Sequence, residues 1–150
     1  MNIELSQPIH TTRLIIRRFR ATDADDLYAY LSNPQVYVFE PGEPVTRQMA
    51  GVIAADMATS PNFWAIELRA TGNQIGQIYL KHTEPLHLMT CELGYILNPH
   101  YQRQGYTSEA LAALVAHAFD ERQMHRIYAH CNPENVASWW LLERIGFRRG

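Results

Sequence analysis

The chain has 150 residues, 47% apolar and 19% charged, and its 13 basic side chains against 15 acidic ones give a formal charge of −2. That is the size and balance of one globular domain, residues 1–150, with apolar content enough for a core. It leaves no broad basic face for a nucleic acid, and no apolar run approaches the ~18 residues of a membrane-spanning helix, so neither partner is expected.

Residues 1–8 lack the basic and apolar regions of a signal peptide. Cys91 and Cys131 have no paired spacing, so neither a disulfide framework nor a zinc ribbon is encoded, and a cytoplasmic protein with reduced thiols is expected. Residues 11–19 mix basic with β-branched and apolar side chains and read as a first strand. Thr22 stands as N-cap of a helix with Asp23, Asp25 and Asp26 in its first turn, apolar positions Ala24, Leu27, Tyr28 and Leu31, and a stop at Asn33-Pro34. After the turn Glu40-Pro41-Gly42-Glu43-Pro44, residues 45–58 form a second helix, ended by Ser60-Pro61. Residues 63–68 and 74–81 are strands joined by Ala70-Thr71-Gly72-Asn73 as a hairpin. His82 and His87 read as surface loop residues, and no metal site is expected. Residues 91–97 make the next strand, in which Gly94 marks a bulge or a close backbone approach by a ligand. A helix over 107–122 carries Ala110, Leu111, Leu114, Val115, Ala118 and Phe119 on one stripe, with Glu109, His117, Glu121 and Arg122 off it. Residues 125–131 form another strand, Asn132-Pro133-Glu134 a turn, and 135–145 a last helix capped by Asn135 and followed by Gly146. The order β α α β β β α β α, with a helical crossover between the last two strands, makes those strands parallel neighbours in a mixed α/β sheet.

Between strand 91–97 and helix 107–122 lies Gln102-Arg103-Gln104-Gly105-Tyr106-Thr107. A helix beginning there aims unpaired amides and the positive end of its dipole into the loop. With a glycine that admits close approach and Arg103 beside it, this is an anion site of pyrophosphate size. Neither Gly-x-Gly-x-x-Gly nor Gly-x-x-x-x-Gly-Lys-Ser/Thr occurs, which removes the dinucleotide and nucleoside-triphosphate loops. If strand 91–97 splays from its parallel neighbour beside that helix start, a long thin ligand threads between them, and acyl-coenzyme A has that shape.

The run Glu92-Leu93-Gly94-Tyr95-Ile96-Leu97-Asn98-Pro99, then Gln102-x-x-Gly105-Tyr106-Thr107-Ser108-Glu109-Ala110, then His125-Arg126-Ile127, and finally Asn135-Val136-Ala137-Ser138 with Leu142-Glu143-Arg144-Ile145-Gly146-Phe147, resembles the GNAT-superfamily N-acetyltransferases. Within them it is most similar to the ribosomal-protein-alanine acetyltransferase branch, whose opening Thr12-Arg13-Leu14-Ile15-Ile16-Arg17 with Asp23-Ala24 also resembles. The resemblance implies a GNAT-like α/β (α+β) fold: a mixed, mostly antiparallel sheet with a splayed parallel strand pair, flanked by helices. It implies acetyl-CoA as cosubstrate, no metal, and as acceptor a primary amine on a protein N-terminus or a small molecule, handled by a monomer or homodimer. Tyr95, Ile96 and Leu97 are then expected to lend backbone groups to the pantetheine, and Gln102, Arg103, Gln104, Gly105, Tyr106, Thr107 and Ser108 to cradle the pyrophosphate. Asn135 matches a position that contacts coenzyme A, compatible with capping its helix, and Thr107 stands where the family has Gly or Ala.

Acetyl transfer needs a neutral amine, a polarised thioester carbonyl and a proton for a thiolate of pKa about 8.5. Glu92 is the expected base, directly or through water, against the alternative of a rim carboxylate in a salt bridge. Ser138 matches the hydroxyl this branch directs at the thiolate, and Leu142 occupies the position of a related branch's catalytic tyrosine. The N–H of Ile96 or Leu97 is expected to bond the carbonyl oxygen. His130 and Cys131, as neighbours in a strand, point to opposite faces and do not form a nucleophile and base. Trp139 and Trp140 read as core and cleft packing, and Tyr37, Glu40 and Glu43 sit where the family receives its acceptor. Similar proteins continue past Phe147 with a strand or two that pair with the strand carrying His130. The C-terminal strand is thus expected to be missing, with truncation, a partner-supplied edge or an open acceptor site as alternatives. A catalytically weak acyl-CoA-binding or regulatory module is the second functional reading.

Overall fold

The computed structural model describes residues 7–149, so the absent signal peptide expected from residues 1–8 falls mostly, and Gly150 wholly, outside the described residues. The strand expected over 11–19 is instead the second arm of a hairpin, β1 (Ile9–His10) pairing antiparallel with β2 (Leu14–Arg18). Thr11 closes the turn, its N–H donating to the Leu14 carbonyl at 2.9 Å and its hydroxyl accepting the Leu14 N–H at 3.0 Å. Local bonding of this kind competes with a ladder and is invisible to an alternation count.

Thr22 does not cap the first helix. A 3-10 turn (Ala21–Asp23) leads into α1 (Ala24–Leu31), and Asp23 at the junction gives no side-chain cap. Its carboxylate is taken by the Arg17 guanidinium at 2.8 and 3.0 Å and by the Arg20 N–H at 2.8 Å. Arg17 also donates to Glu67 at 2.8 Å, and both Arg17 and Asp23 are buried. A guanidinium removed from water is tolerable only when its donors are satisfied in this way.

Thr46 caps α2 (Arg47–Thr59) by accepting the Met49 N–H. β3 (Phe63–Leu68) and β4 (Gln74–His82) form the expected hairpin, with Gly72 at φ +79 in its turn. Then come β5 (Thr90–Leu97), α3 (Tyr106–Asp120), β6 (Arg126–Ala129) and α4 (Val136–Arg144). The strands lie in sequence order in one sheet, antiparallel throughout except for the parallel pair β5 and β6. Helices α3 and α4 cover one face, over a core that includes Leu14, Trp64, Ile78, Leu93 and Leu114; α1 and α2 cover the other, over Phe19, Leu27, Tyr30 and Ala65.

Further expectations change here. β6 stops at Ala129, so His130 and Cys131 lie beyond it; Phe119 is 39% and Trp140 59% exposed rather than packed in the core. His82 is buried at the end of β4, its Nε2 at 2.7 Å from the Leu86 carbonyl, rather than in a surface loop.

Candidate active site

Pairing between β5 and β6 ends at Leu93 and Ala129, whereas β5 pairs with β4 without a register shift from Cys91 and His82 to Leu97 and Gly76. The strand pair therefore splays, but by termination of β6 and not through the bulge anticipated at Gly94. A Cβ at Gly94 would meet nothing closer than Tyr79 at 3.8 Å, so no protein neighbour demands glycine there.

The ladder also fixes which peptide groups face the opening. The Asn98 N–H donates to the Ile75 carbonyl at 2.8 Å and the Thr83 N–H to the Thr90 carbonyl at 2.9 Å, so even-numbered residues of β5 turn their peptide groups toward β4. The Met89 carbonyl accepts from His125 at 2.9 Å and sets the odd-numbered residues toward β6. Beyond the last pair, Tyr95 and Leu97 therefore present N–H and C=O groups to the splay. Ile96 does not; its carbonyl is turned to β4, where a Cβ on Gly76 would lie 2.7 Å from it. Ile96 contributes a side chain instead, packed on the α1 and α2 side.

At the mouth of the splay, Gly105 starts α3 at φ +81 and supplies no side-chain cap. The Glu109 N–H is the first to close back, on the Gly105 carbonyl at 3.1 Å, so the amides of Tyr106, Thr107 and Ser108 have no helical acceptor. Arg103 is left-handed too, at φ +65, and successive turns of this hand curl main-chain donors around a concavity suited to an anion. Gln102, Arg103 and Gln104 are exposed, whereas Thr107 is buried, so its extra bulk is turned inward and not into the loop.

Behind the loop stands a contact that sequence reading missed. Arg13 donates from Nε to Glu109 at 2.7 Å and from Nη1 to the Gln104 carbonyl at 2.8 Å, and lies 4.3 Å from the centre of the Tyr106 ring. Glu109 also accepts the Arg13 N–H at 2.9 Å and the Thr11 hydroxyl at 2.5 Å. Burial alone raises the Glu109 carboxyl, but these bonds and the Arg13 charge outweigh it and hold it below the usual carboxylate range. The signal was present in Glu109 lying off the apolar stripe of its helix; its partner, on the N-terminal hairpin, was not deducible.

At the inner end of the splay, a cleft of about 270 Å³ is lined by Glu40, Phe63, Tyr79, Glu92, Ile96 and His130, among others. Glu92 is half-buried and, among the described residues, forms no ion pair. Phe63 and Tyr79 meet at 5.2 Å between ring centres. Burial, then the Glu92 and Tyr128 charges, push the Tyr79 phenol up, while burial raises the Glu40 carboxyl. Of the other acceptor-side residues, Glu43 is exposed and does not line the cleft, and the Tyr37 hydroxyl is committed to the Leu31 carbonyl at 2.7 Å. Opposite, Asn135 caps α4 by accepting the Ser138 N–H at 3.2 Å, and the Ser138 hydroxyl lies 2.5 Å from the Tyr95 phenol. A larger groove of about 830 Å³ runs beyond β6, walled by Val115, Phe119, Trp139 and Phe147, and contains neither Glu92 nor the free peptide groups.

The acetyltransferase (GNAT) domain matches residues 13–148. The chain is a GNAT acetyltransferase. It is 34% identical over 142 residues to the uncharacterized N-acetyltransferase YnaD of Bacillus subtilis, covering 94% of this chain and 82% of that protein. A shorter match, 37% over 59 residues, covers 39% of this chain and 30% of the [ribosomal protein uS5]-alanine N-acetyltransferase of Escherichia coli. The crystal structure of a GNAT-family acetyltransferase from Bacillus anthracis superposes with a TM-score of 0.87 at 30% identity, covering 95% of this chain and 84% of that one. As a GNAT enzyme the protein is an N-acetyltransferase that draws its acyl group from acetyl-CoA. The geometry fits that cosubstrate: three helix amides without acceptors stand at one end of a splay, and the peptide groups of Tyr95 and Leu97 lie along it. No cluster of His, Cys, Asp or Glu suited to a metal occurs among the described residues.

Proposed function

We propose that this GNAT acetyltransferase acetylates a primary amine, on a protein N-terminus or a small molecule, by direct transfer while both substrates are bound. The observation that carries this is the meeting, on one stretch of β5, of Glu92 in the cleft with the free peptide group of Tyr95 in the splay. The amides of Tyr106, Thr107 and Ser108, with Gln102, Arg103, Gln104 and Gly105 around them, hold the pyrophosphate. The peptide groups of Tyr95 and Leu97 align the pantetheine, and Asn135 reaches it with the amide nitrogen that its capping role leaves free. Of the outward N–H groups, those of Tyr95 and Leu97, that of Tyr95 is nearer to Glu92 and so takes the thioester carbonyl oxygen, while the Ile96 N–H is turned to β4. Glu92 receives the proton of the attacking amine, Glu40 draws the cationic acceptor into the cleft, and the Ser138 hydroxyl bonds the departing sulfur.

The test is release of coenzyme A thiol in the presence of free amines and of peptides with open or blocked N-termini. Open amines should support turnover and blocked ones should not; no turnover with any amine would sink the reading. Glu92→Gln should lower kcat/KM by about 10²- to 10⁴-fold, the range expected for a lost general base. Acetyl-CoA affinity measured by calorimetry should stay unchanged, and the loss should shrink as rising pH leaves more acceptor neutral. An unaltered rate removes Glu92 from the chemistry.

A further inference from the structure

The phenol of Tyr95 engages Ser138, the residue whose hydroxyl bonds the departing sulfur, and itself touches neither substrate in acetyl transfer. The side chain leaves β5 on the α3 and α4 face and reaches Ser138 in the first turn of α4, oxygen to oxygen 2.5 Å, with the Ser138 carbonyl farther off at 3.4 Å. This contact bridges the splay, since Tyr95 lies past the last pairing of β5 with β6 and Ser138 belongs to the helix that follows β6. Of two hydroxyls the phenol is the more acidic, so it donates and the serine oxygen accepts. A serine engaged in this way keeps its own proton for a third atom, whereas an unheld serine in a helix turns that proton back onto the main chain. The phenol stays protonated at neutral pH: burial pushes it up, the Ser138 bond opposes this in part, and the nearby Cys131 and Glu40 charges raise it further.

We propose that Tyr95 is a positioning residue that aims the Ser138 hydroxyl at the leaving sulfur, so that one residue governs both ends of the breaking bond. Its main-chain N–H meets the carbonyl oxygen, and its phenol, through Ser138, meets the sulfur. This rests on the acetyl-transfer reading. In the step, the nitrogen lone pair forms the C–N bond and the C–S electron pair leaves with sulfur as thiolate. The nitrogen's proton passes to Glu92, and Ser138 stabilises the thiolate by a hydrogen bond without giving up its own proton. Glu92 returns its proton to solvent and the thiolate takes one up, so that amine and thioester become amide and thiol.

Tyr95→Phe keeps the ring and the main-chain N–H and removes only the phenol oxygen. It should lower kcat by about 10- to 100-fold, the size of one hydrogen bond to a charged atom, with acetyl-CoA affinity by calorimetry within about twofold of wild type. Ser138→Ala should lose as much, and the double variant no more than Ser138→Ala alone, because the two act as one unit. A readout independent of turnover is the affinity for free coenzyme A, followed by calorimetry across its thiol titration near a pKa of about 8.5. Wild type should bind more tightly as the thiol ionises, and both single variants should lose that rise. Losses that multiply in the double variant, a Tyr95→Phe enzyme as fast as wild type, or one whose affinity falls along with its rate would each overturn the proposal. Should Tyr95→Phe fail to fold, a Ser138→Ala protein that keeps the full pH-dependent rise overturns it alone. Absence of turnover in wild type instead strikes the acetyl-transfer reading, while the coenzyme A titration still tests the hydroxyl pair.

Discussion

The handedness of Gly105 sets the start of α3 and the direction of its first amides. At φ +81 any L side chain is strained by about 1–2 kcal/mol, and its Cβ would also come within 3.3 Å of the Arg13 guanidinium. Gly105→Val should therefore displace the amides of Tyr106 and Thr107 and weaken acetyl-CoA more than about tenfold, as calorimetry would show. Affinity that survives the change would move the pyrophosphate elsewhere. The left-handed turn at Gly105 was legible in advance, because a glycine between a polar loop and a helix marks such a start. That the Ile96 N–H is turned to β4, leaving Tyr95 and Leu97 as the outward donors, was not legible. Which peptide groups of β5 face outward depends on its register with β4, and only the bonds Asn98 to Ile75 and Thr83 to Thr90 fix it.

Among the elements, the first hairpin and α3 are joined by Arg13 and Glu109 more directly than their separation in sequence would suggest. The clamp holds the Gln104 carbonyl from behind, and so orients the loop that leads into the acceptor-free amides of α3. Glu109→Gln should raise the KM for acetyl-CoA with a smaller effect on kcat. Because the folded carboxyl is held below its ordinary value, the stability it contributes is full above the unfolded carboxylate range and fades as pH falls through the lowered value. Wild type should thus melt higher than Glu109→Gln at neutral pH, with the gap closing as the solution is acidified below the ordinary carboxylate range. Thermal melts across that range would refute the clamp's charged role if the gap stayed constant. Helices and strands themselves were largely readable from periodicity and from Gly, Pro and Asn boundaries. The misses, Thr22 as cap and a single first strand, fell where Asp23 and Thr11 make local polar bonds that hydrophobic pattern does not register.

For the whole molecule, the buried Arg17 ties β2, β3 and the entry to α1 into one unit through Asp23 and Glu67. Removing Asp23 leaves the buried guanidinium with Glu67 as its one counter-charge among the described residues and donors unmet, so Asp23→Ala should cost about 3–5 kcal/mol in chemical denaturation. Acetyl-CoA affinity of the folded fraction should be unchanged, since the cluster lies away from the splay's amides. A loss under about 1 kcal/mol would mean that water already reaches the guanidinium. The parallel pair was recoverable from order alone, since a helical crossover joins the two late strands, whereas the antiparallel remainder followed from the family resemblance. The width of the splay was not, because it depends on β6 ending at Ala129 while its sequence continues in apolar and aromatic character through Cys131.

β5 sends alternate side chains to opposite faces: Glu92, Gly94 and Ile96 toward the cleft shared with Phe63 and Tyr79, and Leu93, Tyr95 and Leu97 toward α3 and α4. On the proposed reading, recognition of the acceptor and removal of its proton share one side of the strand, and the grip on the leaving sulfur lies on the other. If the cleft receives the acceptor as proposed, a lineage could redraw that acceptor by drift at Glu40, Phe63 or Tyr79 and inherit the α3 and α4 side intact. A laboratory library seeking new acceptors would gain the same freedom by randomising Glu40, Phe63 and Tyr79 with Glu92 held fixed.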